Sequence, residues 1–152
     1  MDRDFGNWLA GFIDGEGCFC VRTTRVEGYV LDFSIRVRDD ERSTLDTIVV
    51  ETGIGRVRAG RGRRNLQGYI SHPLAIWAVD TKADCRALAN LLTVHPLRAK
   101  KRRDFVEWST ALTAWERVRR GGNGCDKPVN AELFSVMRRA KERMEMGRRY
   151  DG

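Results

Sequence analysis

Phe5, Trp8, Leu9, Phe12 and Ile13 recur at i, i+3, i+4, i+7 and i+8, a spacing that lays one apolar stripe along a helix of about three turns. The other side of that segment is small or polar, with Asn7, Ala10, Gly11 and Asp14. From Cys18 onward the period falls to two. Residues 18–25, a turn near Gly28 and a return over 32–38 read as a β-hairpin, with Phe33, Ile35 and Val37 on one face and Ser34, Arg36 and Arg38 on the other. Asp39 or Asp40 stands where a second helix needs its cap; that helix carries Leu45, Ile48 and Val49 and stops at Gly53. Strand material follows at 55–59, 66–70 and 74–79, with a Gly/Arg-rich loop over 60–65 and a break at Pro73. Thr81, with Asp84 three residues on, resembles a capping box opening a third helix through Leu88, Leu91 and Leu92, which ends before Pro96.

The order over 4–94 is therefore αββαββα, an α+β unit with its helices on one face of the sheet. Residues 98–120 form a long amphipathic stretch in which Trp108 and Trp115 read as core. Gly121 to Gly124 interrupt it, and Asn130 is placed to cap a last helix reaching about Met146. A chain of 152 residues can bury one sizeable core, and no Pro/Ser-rich linker divides it. The expectation is a single domain over 1–152, with a core at about 4–110 and a helical extension at about 111–148.

Charge narrows the class of partner. A net charge of +7 and a pI near 9.7 suit a polyanion. Arg far outnumbers Lys, and guanidinium forks match phosphates and guanine edges, which favours nucleic acid over a membrane surface. No apolar run is long enough to cross a bilayer, and the start of the chain lacks the order of a secretory signal. The expected compartment is thus intracellular: cytoplasm, nucleoid or organelle. Cys18, Cys20, Cys85 and Cys125 contain no CxxC pair, so they read as ordinary thiols rather than zinc ligands.

The segment Leu9-Ala10-Gly11-Phe12-Ile13-Asp14-Gly15-Glu16-Gly17 carries the chemistry. A glycine inside a helix costs about 1 kcal/mol against alanine, and close approach of another backbone to the Ala10/Gly11 face explains its use. Asp14 sits at a helix C-terminus, where the dipole disfavours an anion, and Glu16 follows closely. A divalent cation would remove that conflict, and carboxylate oxygens suit Mg²⁺. The segment resembles the signature of the LAGLIDADG homing endonucleases, with Phe12, Gly15 and Glu16 at its three departures.

That resemblance implies a fold with a saddle-shaped antiparallel sheet for double-stranded DNA. With one motif per chain it also implies a homodimer, with Asn7, Ala10, Gly11 and Asp14 at the interface. Glu16 and the Gly15 carbonyl would be metal ligands and Asp14 would shape the helix end. The cofactor would be Mg²⁺, with Mn²⁺ a plausible substitute and Ca²⁺ supporting binding without cleavage. The product would be a staggered double-strand break with 3′ overhangs in a near-palindromic target. Pro96-Leu97 followed by Lys100-Lys101 and Asp104-Phe105 resembles a second family segment, which implies Lys100 in the active site, with Lys101 as second choice. Where the family's homodimers place a glutamine and an arginine around the attacking water, this chain has Val37 and Glu41, and Arg38 could partly substitute.

Strand alternation names the DNA face as Cys20, Arg22, Thr24, Ser34, Arg36, Arg38 and Arg58, where Arg and Ser or Thr can read base edges. Arg61, Arg63, Arg64 and Lys101 are expected on phosphates. His72 and His95 read as satisfied loop or helix-end histidines. Other classes remain open: a LAGLIDADG-type maturase with an RNA partner, a protein that binds DNA without cutting it, or a small basic ribosome- or RNA-associated protein.

Overall fold

The Asp2 carboxylate accepts the Phe5 backbone N–H at 2.8 Å and starts helix α1 (Arg3–Glu16), satisfying one of the donors a helix leaves unpaired at its beginning. A computed structural model describes residues 1–25, 28–60, 72–119 and 127–149. After α1 come β1 (Gly17–Thr23), β2 (Tyr29–Arg38), a 3₁₀ turn (Asp39–Glu41), α2 (Arg42–Thr52), β3 (Arg56–Gly60), β4 (Leu74–Val79), α3 (Lys82–Val94), α4 (Lys101–Arg117) and α5 (Lys127–Arg149). The αββαββα order expected from the hydrophobic pattern is the order found. The expected strand at 66–70, the loop arginines Arg61, Arg63 and Arg64, and the glycine break at 121–124 lie outside the described residues.

Several local signals act as the sequence suggests. Gly53 ends α2 in the left-handed region at φ 66°, and the Thr81 hydroxyl accepts the Asp84 N–H at 3.0 Å while donating to its carboxylate at 2.8 Å. The hairpin closes through Thr24 and Gly28, whose backbone N–H and C=O bond at 2.8 Å. Two caps differ. Asp39 and Asp40 form the 3₁₀ turn instead of capping α2, and Asp40 pairs with Arg38 at 3.0 Å. Asn130 lies inside α5, where its buried amide accepts from Arg119 N and donates to Arg119 O. It fastens the chain leaving α4, a tertiary use of a side chain that in isolation favours a cap.

The four strands run β1-β2-β4-β3, antiparallel throughout. Directly opposed residues share a face, so the register assigns each face. Phe19, Val21, Leu31, Phe33, Ile35, Val37, Ala75, Trp77 and Val79 point into the helices and join Leu9, Ile13, Leu45, Ile48, Leu88 and Trp108 in one core. The indoles bury their N–H groups with partners: Trp77 donates to Ile54 O at 2.8 Å and Trp108 to Asp32 O at 3.2 Å. Trp115 is buried too, as expected.

The α1 stripe divides. Leu9 and Ile13 are fully buried, whereas Trp8 is 45% exposed, so the helix is apolar on more than its core face. Gly6 takes the close contact instead: a Cβ there would meet the His95 ring at 2.4 Å, and His95 hydrogen-bonds Asn7 through Nδ1 at 3.0 Å. Gly6→Ala is expected to destabilise the fold by about 1–3 kcal/mol through overpacking, outweighing the gain of about 1 kcal/mol in helix propensity. Chemical denaturation checks it, and an unchanged or raised stability would show that His95 moves aside freely.

Candidate functional site

Helix α1 ends where the acidic motif residues stand. Gly17 N bonds Ile13 O, which leaves the carbonyls of Asp14, Gly15 and Glu16 beyond the last intrahelical bond. Gly15 and Glu16 are exposed. Asp14 is half-buried and its Oδ2 accepts two backbone donors, Arg98 N at 2.7 Å and Ala99 N at 3.1 Å. Its carboxylate therefore fixes the segment entering α4 and sets Lys100 and Lys101 beside the end of α1. Asp14→Asn keeps the shape but removes the charge that strengthens both bonds. A loss of about 2 kcal/mol in unfolding free energy is expected, and an unchanged midpoint would rule out the anchoring role.

The outward face of α1 carries Asn7, Gly11 and Gly15. Nothing lies within 4 Å of a Cβ built at either glycine. Phe5, Trp8 and Phe12 flank this face as an aromatic row, with the rings of Trp8 and Phe12 stacked at 5.4 Å and those of Phe5 and Trp8 tilted at 5.3 Å. Ala10 is 5% exposed and packs within its own chain. Of the four residues expected at an interface, Asn7 and Gly11 face outward, Ala10 faces the core and Asp14 is engaged with 98–99. The 3.6-residue period decides this: Ala10 sits next to Leu9 and Ile13 around the helix.

The second sheet face gathers the polar residues named from strand alternation. Cys18, Ser34, Ala78 and Arg56 lie in one cross-strand row, Arg36, Ile76 and Arg58 in the next, and Cys20 faces Asp32 as Arg22 faces Val30. Thr24 follows just past the end of β1 and is exposed. Arg22 Nε donates to Asp32 at 2.5 Å, which holds the guanidinium in a fixed direction. Arg36, Arg38 and Arg58 are exposed, while Ser34 is buried and can be reached only at close approach. Val37 belongs to the core face, so it is turned away from the side that Arg36 and Arg38 present.

Sequence reasoning passed over two arginines. Arg56 alternates with Arg58 and shares its face, a signal present in the sequence; Asp80 clamps it through two bonds at 2.8 and 2.7 Å. Arg148, near the end of α5, gave no local signal. It donates to Phe19 O at 2.7 Å and approaches the buried Asp104 carboxylate at 3.4 Å, joining α5, the edge strand β1 and α4. The potential here is positive. The Cys18 thiol is drawn down to about 6, first by its hydrogen bond with Cys20 and then by Arg148, Lys101 and Arg36, while Cys20 is pushed up.

The donor set at the end of α1, an exposed carboxylate and backbone carbonyls beyond the last intrahelical bond, fits a hard divalent cation. Among the described residues no three His, Cys, Asp or Glu side chains gather to hold an ion. One chain would thus provide only part of a coordination shell, as in sites where phosphate oxygens and water complete it. His95 is satisfied by Asn7, and His72 is exposed.

A model of the LAGLIDADG endonuclease family matches residues 9–112. The chain belongs to that family. No curated protein matches it. Among solved structures, the LAGLIDADG meganuclease I-AabMI bound to uncleaved DNA is 29% identical with a TM-score of 0.61, covering 73% of this chain and 36% of its own. The homing endonuclease I-TnaI is 21% identical with a TM-score of 0.63, covering 93% and 97%. I-SmaMI, bound to uncleaved DNA in the presence of calcium ions, is 18% identical with a TM-score of 0.67, covering 91% and 44%. This LAGLIDADG chain thus spans less than half of I-AabMI and I-SmaMI but nearly the whole of I-TnaI, and α1 is its motif helix.

Proposed function

We propose that this LAGLIDADG protein is a site-specific homing endonuclease that acts as a homodimer on a long, near-palindromic double-stranded DNA. The observation that carries the reading is the end of α1: Glu16 stands exposed beside a helix face, Asn7, Gly11 and Gly15, that is open enough for a second backbone. A self-complementary pairing of two such faces is the isologous contact of a two-fold dimer. It brings two Glu16 carboxylates together, one for each DNA strand.

In this reading Glu16 and the Gly15 carbonyl hold the cation, and Asp14 keeps Lys100 in place through its bonds to 98–99. A bound divalent cation supplies charge that offsets the transition state and eases deprotonation of the attacking water. Lys100, or Lys101 in its stead, sets an ammonium beside the scissile phosphate to order water and balance charge. Cys20, Arg22, Thr24, Ser34, Arg36, Arg38 and Arg58 face the major groove, where Arg forks read guanine. Arg61, Arg63 and Arg64 serve the backbone. Mg²⁺ is the assigned metal, Mn²⁺ a working substitute, and Ca²⁺ a cation that permits binding without cutting. The product is a staggered double-strand break with 3′ overhangs.

Cleavage of a randomised near-palindromic duplex library tests this. Mg²⁺-dependent products with 3′ overhangs at a reproducible site are expected. A folded protein that cuts no member of the library with Mg²⁺ or Mn²⁺ would overturn the proposal.

A further inference from the structure

Cys18 and Cys20 are two residues apart on the edge strand β1, so both side chains lie on the face that carries Arg36 and Arg58. Their Sγ atoms are 3.6 Å apart, with Cys18 exposed and Cys20 half-covered. Cys85 shows the ordinary alternative: it is buried, directs its thiol at Val79 O, and burial pushes that thiol up to about 12. Unpaired cysteines are ordinarily among the most buried of residues. A matched pair held open on a binding face, within reach of each other, is instead placed for chemistry.

We propose that Cys18 and Cys20 form a reversible internal disulfide that loosens the hold of β1 on DNA. Its effect on DNA rests on the endonuclease reading; the bond itself does not. Residues two apart on an extended strand have Cα atoms about 6.6 Å apart, at the upper end of the disulfide range, so closing the bond puckers the strand. β1 can yield because, among the described residues, only β2 pairs with it. Two contacts and the end of α1 would shift with it. Phe19, between the two cysteines, gives its carbonyl to Arg148. Asp32, opposite Cys20, holds Arg22. Glu16 lies at the junction with α1. Strained, exposed disulfides are the readily reduced ones, which makes the change reversible.

With hydrogen peroxide as oxidant the step balances. The exposed Cys18 sulfur attacks one peroxide oxygen, the O–O bond breaks, and a sulfenic acid and water result. The Cys20 sulfur then displaces that hydroxyl as a second water and the S–S bond forms. Two thiols give up two electrons and two protons, and peroxide becomes two waters.

The peptide over residues 4–22, bounded by arginines, contains both thiols and no other cysteine. After peroxide treatment of the whole protein and alkylation, tryptic peptide mass should show 4–22 unalkylated and lighter by two hydrogens, with dithiothreitol restoring both alkylation sites. Cys18→Ser should abolish that change. Oxidised protein should bind its DNA about tenfold more weakly than the same sample after reduction, the scale of one lost base contact. In Cys18→Ser the two values should agree. Thiols that stay fully alkylatable, or a 4–22 peptide that gains only oxygen, would overturn the disulfide; equal affinity of the oxidised and reduced forms would overturn its effect. A chain that binds no DNA in either state would sink the endonuclease reading, while the peptide mass still decides the disulfide.

Discussion

Replacing Glu16 with glutamine is expected to lower DNA cleavage by about 10³-fold, the scale of removing a central electrostatic contributor to a phosphoryl transition state, while leaving DNA affinity within a few-fold. The side chain keeps its length and loses its charge, so the end of α1 should keep its form. Glu16 is exposed, so thermal stability should not move. Affinity should persist because the positive groups proposed to grip DNA, Arg36, Arg38, Arg58 and Lys101, lie on other elements. Asp14 behaves oppositely: its Oδ2 is already committed to Arg98 N and Ala99 N, and its variant should show first in stability. Single-turnover cleavage and a binding isotherm on the same duplex separate the two carboxylates. A Glu16→Gln protein that cuts at the parent rate would remove Glu16 from the metal site.

Gly11→Leu is expected to turn a dimer into a monomer and abolish double-strand cleavage without harming the fold of the single chain. A Cβ at Gly11 meets nothing within 4 Å, so the added side chain costs no packing inside the protomer. Leaving glycine also raises helix propensity by about 1 kcal/mol. In a pair of α1 helices in contact, the same side chain would hold the backbones apart. The two effects thus have opposite sign, which a merely structural role for Gly11 would not produce: equal or higher stability of the separated chain, together with loss of the dimer by light scattering. A Gly11→Leu protein that stays dimeric would show that the open face of α1 is not where two copies meet. Trp8 and Phe12 predict a graded version, because burying their stacked rings on association would remove exposed apolar area from water.

Much of this molecule is legible along the chain because the signals are local. The 3.6-residue stripe of Leu9 and Ile13 makes α1, the two-residue alternation of Phe33, Ile35 and Val37 sorts the faces of β2, Gly53 permits a left-handed helix end, and Thr81 caps α3. Periodicity and capping depend on neighbours within a few residues, so a linear reading reaches them. The motif at 9–17 goes further, since it opens the stretch that places the chain in its family.

Only the tertiary structure decided which groups around that motif are already occupied. Ala10 turned out to belong to the core and Trp8 to the surface, because the position of the sheet and of α4 fixes which arc of α1 is covered. Asp14 found its donors at residues 98–99, Asn130 found Arg119, and Arg148 reached the carbonyl of Phe19 across most of the chain. The register set Cys18 beside Cys20 on the same face as Arg36, and Asp32 and Asp80 against Arg22 and Arg56. Hydrogen bonds and ion pairs of this kind depend on distances through space, and sequence separation carries no record of those until the chain has packed.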